Sequence, residues 1–313
     1  MTNKIIPQRD AFWDKILEKA RADKNVIVIS ADMGAPSLDV IRKELPSQFI
    51  NVGIAEQNAI IIGAGLALTG KKVFVYAIAP FITIRCLEQI RVECGIMNIP
   101  MTIVGVGVGF GYEDSGPTHH LLEDIAMMRC LPNMTIHTMT DSNMSSSFGE
   151  IAYESNSPNY IRVYRQTLPD IYEKNHDFRK GLSVLKKSKD YYIVSCGSMT
   201  HTAIEVSEKL AKNKINIGVI DAYTIPINQK LFLDTIKGVK KIITMEENFL
   251  PGGLGSTICE ILSDNEISIP VKRLGLPLEK AYCYEYGGRD IIRAFYGLDN
   301  NNMERKIKEF IKK

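Results

Sequence analysis

Short apolar segments alternate with helical patterns along almost the whole 313-residue chain, and this alternation limits the folds open to it. The predicted strands are 26–29, 72–76, 101–106, 134–137 and 160–164, then 191–195, 215–221, 241–245 and 271–274. These segments are nearly all apolar, as expected when helices cover both faces of a parallel sheet. The sequence therefore predicts an α/β protein with two consecutive open, mostly parallel sheets that carry helices on both faces.

A polar stretch from Gln166 to Asp190 separates the two sets of strands and contains Pro169 and a run of charges. The chain length corresponds to about two domains, which are usually joined by polar linkers of this kind. We expect a first domain over 1–170, a linker over 171–189 and a second domain over 190–313.

Charge and composition exclude several classes of protein. The chain has 38 basic and 36 acidic side chains and a net charge of +2, so a nucleic-acid partner is not expected. The N-terminus lacks the apolar region of a signal peptide, and stretches such as 59–68 are too short to cross a bilayer. The six cysteines form no CxxC pair and are expected to be reduced core thiols. We expect a cytoplasmic protein without a membrane partner.

Glu56 is the most informative candidate site residue. It lies in the segment Asn-Val-Gly-Ile-Ala-Glu-Gln-Asn at 51–58, where the chain turns at Gly53 and enters a long apolar run. That run predicts an almost entirely buried helix with Glu56 in its first turn. A carboxyl group there is withdrawn from water and faces the helix N-terminus, so it can hold or share a proton near neutral pH. The alternative is a Glu that only complements the helix dipole.

Two glycine-rich segments need separate interpretations. Residues 65–71 match the start of a phosphate-binding loop, but Lys72 stands where Ser or Thr should meet magnesium. We interpret this segment as a helix end with Gly70 just after the cap. Four glycines at intervals of two between 105 and 111 follow a predicted strand, where open α/β sheets bind ligands. A surface loop explains these glycines equally well.

Adjacent histidines occur in Gly-Pro-Thr-His-His at 116–120, shortly before Glu123 and Asp124. These side chains could in principle bind a metal. However, neighbours on a helix point roughly 100° apart, so His119 and His120 cannot both face one ion comfortably. We expect no metal site here, but an acid–base or substrate-contacting histidine.

The segment "APFITIRCLEQIRVE" places Phe81 at the end of a predicted strand and Arg85 and Glu88 on the following helix. By residue type alone, Phe81 would belong to the core. Arg85 and Glu88 have the i,i+3 spacing of a surface ion pair.

The stretch "NVGIAEQNAIIIGAGLALTGKKVFVY", followed by "APFITIRCLEQI" and "GPTHH", resembles the pyrimidine-binding domain of transketolases and deoxyxylulose-phosphate synthases. The resemblance implies that Glu56 hydrogen-bonds the aminopyrimidine ring of thiamine diphosphate and starts catalysis. It also implies that Phe81 lies against that ring, that Arg85 contributes to cofactor binding, and that His119 contacts substrate.

Three more positions match residues that hold the sugar phosphate in transketolases. They are Arg9 in "QRDAF", Ser37 in "SADMGAPS" and Arg165 in "RVYRQTLP". A guanidinium fork suits a phosphate better than an ammonium group does. There are two departures: Ser115 replaces the usual Asp before Gly-Pro-Thr, with Asp114 one residue earlier, and the preceding loop lacks a histidine that many transketolases have.

The second half, with "VIDAYTIPIN" and "TMEENFLPGGLGS", resembles the transketolase C-terminal domain, for which we predict no catalytic role. The Gly-Asp-Gly motif, which in this family holds the diphosphate and its Mg²⁺, does not occur in the sequence. The resemblance therefore implies the small subunit of a split transketolase, in which a large subunit mainly holds the diphosphate and the metal. A homodimer or heterotetramer is expected, and it would transfer a two-carbon ketol unit between phosphorylated sugars.

Other functions remain as alternatives. A deoxyxylulose-phosphate synthase-like subunit shares the same motifs. A 2-oxo acid dehydrogenase β-type subunit shares the fold and the Glu, but Gly-Pro-Thr-His-His and the pair Arg165-Gln166 argue against it. A non-catalytic scaffold for a large subunit would have no physical reason to keep Glu56, Phe81 and His119 together.

Overall fold

The computed structural model describes residues 6–312, which divide into two compact units. The first unit contains the chain up to Gly111 together with Met127–Arg179, and the second contains Tyr112–Ala126 and the chain from Lys180 onward. The segment with Gly-Pro-Thr-His-His is thus interposed in the sequence of the first unit but packs with the second.

The first unit is built on a parallel sheet with the strand order β5-β6-β4-β3-β1-β2. Its strands are β1 (Val26–Ser30), β2 (Phe49–Asn51), β3 (Lys72–Ile78), β4 (Met101–Val106), β5 (Thr135–Thr138) and β6 (Asn159–Val163). Its helices are α1 (Gln8–Ala22), α2 (Pro36–Glu44), α3 (Glu56–Leu68), α4 (Ala79–Thr83), α5 (Leu87–Ile90) and α7 (Ser142–Glu154), while α6 (Asp124–Met128) spans the boundary between the units.

The sheet is covered on both faces. Every residue of β1, β4 and β6 is buried, and successive side chains of a strand point to opposite faces, so both faces must be packed against other elements. Helix α1 packs on β3 through edge contacts of Phe12 with Phe74 and of Trp13 with Tyr76. Burial of this kind is what the uniformly apolar strands predicted.

The second unit contains a sheet with the order β12-β11-β8-β9-β7, in which only the edge pair β7–β9 is antiparallel among the described pairings. The strands of this sheet are β7 (Ser183–Lys186), β8 (Tyr191–Ser195), β9 (Gly218–Asp221), β11 (Lys241–Phe249) and β12 (Val271–Leu276). The short strand β10 (Thr224–Ile225) belongs to the residues of this unit but is not part of this sheet. Its helices are α8 (Ser198–Lys212), α9 (Gln229–Thr235), α10 (Leu254–Asp264), α11 (Arg289–Tyr296) and α12 (Asn300–Lys312). The two mostly parallel sheets confirm the predicted fold class.

Helix α3 corrects one expectation. Glu56, Ala59, Ile60, Gly63 and Ala64 are among its buried residues, but the helix also has an exposed apolar face. Ile61 is 50% exposed and Leu68 is 66% exposed. The helix is therefore not almost entirely buried. A sequence that is apolar on all sides does not show which face the rest of the chain covers.

Smaller predictions have mixed outcomes. Helix α3 ends at Leu68 and Gly70 follows the cap residue Thr69 with φ +85°, so the predicted helix end is confirmed. The six cysteines are free thiols, and burial raises the pKa of Cys86 and Cys94 to about 12. Cys130 is exposed, however, so the prediction that all are core thiols is wrong at that position. Across residues 6–312, no helix combines the length and apolar character needed to cross a bilayer.

Candidate active site

Most of the predicted site residues of the first unit follow the carboxyl ends of its parallel strands. Ser37 lies on α2 after β1, Glu56 begins α3 after β2, Phe81 lies on α4 after β3, and Arg165 follows β6. In a parallel sheet these ends meet at one edge, and the crevice there is where open α/β sheets bind ligands. The order of the strands thus gathers residues that are far apart in the sequence.

Glu56 is buried at this edge but has a partner that reaches out to solvent. The turn before it contains Gly53 at φ +71°, a conformation that favours glycine. Glu56 is 4% exposed, and its Oε2 lies 2.8 Å from Nη1 of Arg85, whose side chain is 44% exposed. As the first residue of α3, Glu56 also complements the helix dipole. A buried carboxylate is thus held by one half-exposed cation.

Arg85 also joins Phe81 to this group. Its guanidinium lies 4.3 Å from the centroid of the Phe81 ring, a cation–π distance. The i,i+3 pairing of Arg85 with Glu88, considered from the sequence, is wrong: Glu88 instead lies 3.4 Å from Arg91. Glu56, Phe81 and Arg85 are therefore brought together as one group.

This group fits the pyrimidine end of thiamine diphosphate. A carboxyl group can hydrogen-bond the nitrogen-bearing edge of an aminopyrimidine, and a partly exposed aromatic ring can lie against its face. The diphosphate end is not matched in the same way. Among residues 6–312, no cluster of three or more His, Cys, Asp or Glu side chains could hold a metal ion.

The three predicted phosphate-binding residues are linked through α1. Arg9 lies in the first turn of this helix, with Nε 2.6 Å from Oδ1 of Asp10. Ser37 is buried and its Oγ donates a hydrogen bond to Asp14, which is also on α1. The helix therefore carries one arginine of the set and fixes the serine.

Arg165 is connected to the same helix by the residue before it. The backbone N–H of Tyr164 donates to Oε1 of Gln8 at 3.2 Å, and the carbonyl of Gln8 accepts from Oγ of Ser145 at 2.7 Å. Arg165 itself is exposed. Sequence reasoning missed Gln8 and Asp14 because their contacts are distant in the sequence. Gln8 and Tyr164 are 156 positions apart, and Asp14 and Ser37 are 23 positions apart.

His119 lies in the second unit, unlike the other predicted site residues. It is half-buried, its Nδ1 lies 3.0 Å from Oγ1 of Thr118, and its ring centroid is 6.0 Å from that of Tyr112. The chain before it turns at Gly116 with φ +77°. Ser115, which stands where transketolases usually have Asp before Gly-Pro-Thr, is exposed, and so is the preceding Asp114.

His120, in contrast, is buried. Burial lowers its pKa, and the negative charge of Glu247 acts in the opposite direction. The two adjacent histidines thus have different surroundings, since His119 is half-buried and His120 is buried.

A second charged group, missed by sequence reasoning, lies at the carboxyl edge of the second sheet. Glu247 is buried and lies 2.8 Å from Arg293, and it also pairs with Arg289; both arginines donate to Oγ of Ser198. Burial acts to raise the pKa of Glu247, but the two arginine charges outweigh it and lower the pKa to about 2. The only sign of this site in the sequence was the pair Glu246-Glu247, which directly follows the apolar segment 241–245.

Two family models together match most of the chain: the transketolase pyrimidine-binding domain over residues 5–170 and the transketolase C-terminal domain over residues 181–303. The chain belongs to the transketolase family. This confirms the resemblance on which the site residues were predicted.

The relatives show which part of a transketolase the chain represents. It is 36% identical over its full length to an apulose-4-phosphate transketolase subunit of Phocaeicola vulgatus, all of which it covers. It is 30% identical to the 6-deoxy-6-sulfo-D-fructose transketolase subunit of a Clostridium species, with 96% of this chain and 93% of the relative covered. A solved structure described as a split gene transketolase, inactive beta4 tetramer, has a TM-score of 0.85, 30% identity and 98% coverage of both chains. The chain therefore resembles, over nearly its whole length, transketolase chains of the split type.

Proposed function

We propose that this chain is the small subunit of a split transketolase and becomes active only with a large subunit that supplies the diphosphate- and Mg²⁺-binding half of the site. The complex transfers a two-carbon ketol unit from a ketose to a phosphorylated aldose. The observation that carries the proposal is the group of Glu56, Arg85 and Phe81, which suits the pyrimidine end of the cofactor in a chain without a matching metal cluster among its described residues. The expectation of a cytoplasmic enzyme is part of this proposal.

The chain's own residues have separate tasks. When bound, thiamine diphosphate supplies the nucleophilic carbon that takes up the two-carbon fragment. Glu56 holds and returns a proton at the pyrimidine ring nitrogen, a general acid–base role. Arg85 holds one carboxylate oxygen of Glu56 from the solvent side, and Phe81 supports the ring face.

The remaining predicted residues act on the sugar. His119 orients or relays protons at the ketol and acceptor oxygens. Arg9, Ser37 and Arg165 bind the phosphate, so that contacts remote from the reacting carbon position it. The relatives named for apulose-4-phosphate and for a 6-sulfo sugar support a substrate with an anionic end.

An exposed apolar surface supports assembly with another chain. Ile54 is 79% exposed next to the Glu56 turn, and Ile61 and Leu68 are exposed one above the other on α3. Large side chains left in water on one helix face are typical of a contact surface. We propose that another subunit covers this face in a homodimer or heterotetramer.

Calorimetry can test the dependence on a partner. The isolated chain, titrated with thiamine diphosphate and Mg²⁺, should show no binding tighter than about millimolar, which corresponds to ~4 kcal/mol. Addition of a separately expressed large subunit carrying Gly-Asp-Gly should produce tight binding and ketol transfer. The same complex built with Glu56→Gln is the matched control and should not transfer. Micromolar binding or ketol transfer by the isolated chain would contradict the proposal.

A further inference from the structure

The end of β11 holds the segment 112–126, which carries His119, at several consecutive positions. The backbone N–H of Phe249 donates to the carbonyl of Leu122 at 2.8 Å. Next to it, Nδ2 of Asn248 donates to Oδ1 of Asp124 at 2.9 Å, and both side chains are buried. Residues 122–124 are thus fixed to the carboxyl edge of the second sheet, immediately after the histidine pair.

The other end of the segment is fixed by α11. The backbone N–H of Arg289, the first residue of α11, donates to Oε2 of Glu113 at 3.0 Å. The side chain of Arg289 is itself held, with Nε 3.0 Å from Oε1 of Glu247 and Nη2 3.0 Å from Oγ of Ser198. The contacts of the Arg289 side chain with Glu247 and Ser198 therefore fix the backbone N–H that donates to Glu113.

The chain between these two anchors has little regular structure to position it. Residues 113–119 form turns rather than a helix or strand, with Gly116 at φ +77°, and Asp114, Ser115 and Thr118 are exposed. His120 is buried at the end of this stretch and interacts electrostatically with Glu247. The two anchors of the segment therefore help to position His119, together with its contacts with Thr118 and Tyr112.

We propose that Glu113, held by the Arg289–Glu247 cluster, is a positioning residue for His119, and that the C-terminal unit thereby sets the geometry of the substrate-contacting histidine. The inference rests on the proposed function for the role of His119. It gives the second unit a part in the reaction, whereas the sequence predicted no catalytic role for it. The reason is that a proton-transferring or orienting group must be held within a fraction of an ångström of its productive position.

The test compares Glu113→Ala with Glu113→Gln in the complex with a large subunit, thiamine diphosphate and Mg²⁺. Alanine removes the acceptor for the Arg289 N–H, and kcat/KM for ketol transfer should fall about 10- to 100-fold, the scale expected of a displaced catalytic group. Glutamine keeps an acceptor oxygen and should restore most of the activity. Affinity for thiamine diphosphate should be the same in both variants. Glu208→Ala, at an exposed position on α8, is the matched control and should behave as wild type.

Hydrogen–deuterium exchange of the isolated chain supplies a readout independent of activity. Glu113→Ala should accelerate amide exchange in peptides from 112–126 and leave the peptides of β8 and β11 unchanged. Wild-type turnover by Glu113→Ala, unchanged exchange in 112–126, or equal losses in the alanine and glutamine variants would each overturn the proposal. Faster exchange throughout the second unit would also overturn it, because the residue would then be only structural. A wild-type complex without ketol transfer would contradict the proposed function instead, while the exchange result would still decide whether Glu113 fixes the segment.

Discussion

Each unit has a buried glutamate paired with arginine at the carboxyl edge of a mostly parallel sheet, but one site is open and the other is closed. Glu56 in the first unit has a single arginine partner, and that partner is half-exposed. Glu247 in the second unit has two arginine partners that are both largely buried, and Ser198 binds the same guanidinium groups. We infer that Glu247, whose arginine partners are buried with it, serves the fold. Glu56, whose arginine partner is half-exposed, leaves room for a ligand.

Removal of the two carboxylates should separate these roles most clearly. Glu247→Ala leaves two buried arginines without their anion, and the free energy of unfolding should fall by about 3–5 kcal/mol. Glu56→Ala should reduce it by no more than about 1 kcal/mol, because Arg85 can turn to water. Urea denaturation of both variants measures the difference. Equal losses would show that the Glu56 pair is as structural as the Glu247 cluster.

Acid should act on His137 and on the Glu247 cluster in different pH ranges. Burial lowers the pKa of His137 in the first unit to about 4, with a hydrogen bond to Asn159 opposing the shift. The folded-state pKa lies below the unfolded value, so the unfolded chain takes up the proton first. Stability from neutral His137 is therefore complete above about pH 6.5 and is lost as the pH falls to about 4, a total of roughly 3 kcal/mol.

The Glu247 cluster should respond only at lower pH. Its pKa is lowered to about 2, so its contribution is present above about pH 4.5 and disappears as the pH falls toward 2. Free energies of unfolding between pH 7 and 4 should decline for the wild type and much less for His137→Gln. A parallel decline in both proteins would assign the acid sensitivity to other groups.

Glu56→Gln sharpens the comparison through activity. Glutamine keeps the shape of the side chain but cannot exchange a proton in the same way, so ketol transfer should fall at least ~100-fold. The melting temperature should change little, since the open pair contributes little stability. Steady-state rates of the reconstituted complex, with thermal unfolding of the same samples, provide the measurement. Near-normal turnover would remove Glu56 from the proposed mechanism.

Arg165→Ala tests whether Arg165, at the carboxyl edge of the first sheet, binds the phosphate of the substrate. The apparent KM for phosphorylated acceptors should rise roughly 10- to 100-fold, or about 1.5–3 kcal/mol for a charge-assisted contact. Unphosphorylated acceptors should be nearly unaffected. Arg179→Ala, at an exposed arginine paired with Glu154, is the control and should leave both KM values unchanged. Equal effects on both kinds of acceptor would mean that Arg165 is structural.

Much of the open site could be predicted from the sequence. Glu56 and Phe81 follow strands whose apolar character was evident, and parallel strands place such positions at one edge. The partner of Glu56 was not predictable, because Glu88 offered Arg85 a local partner while the observed pair joins residues 29 positions apart. The closed site joins Glu247 to arginines 42 and 46 positions away, and no local pattern indicates such contacts.

The sequence by itself determined the two α/β sheets and the positions of their longer strands, because continuous apolar segments must be covered on both faces wherever they occur. It missed the short strands β2, β7 and β10, of which β7 lies in the stretch predicted to be a linker. Only the tertiary structure decided which face of α3 stays exposed and which unit holds the segment with His119. Both depend on which distant surfaces meet. Helical or strand periodicity indicates which side chains of an element are to be buried, but it does not identify the residues that cover them.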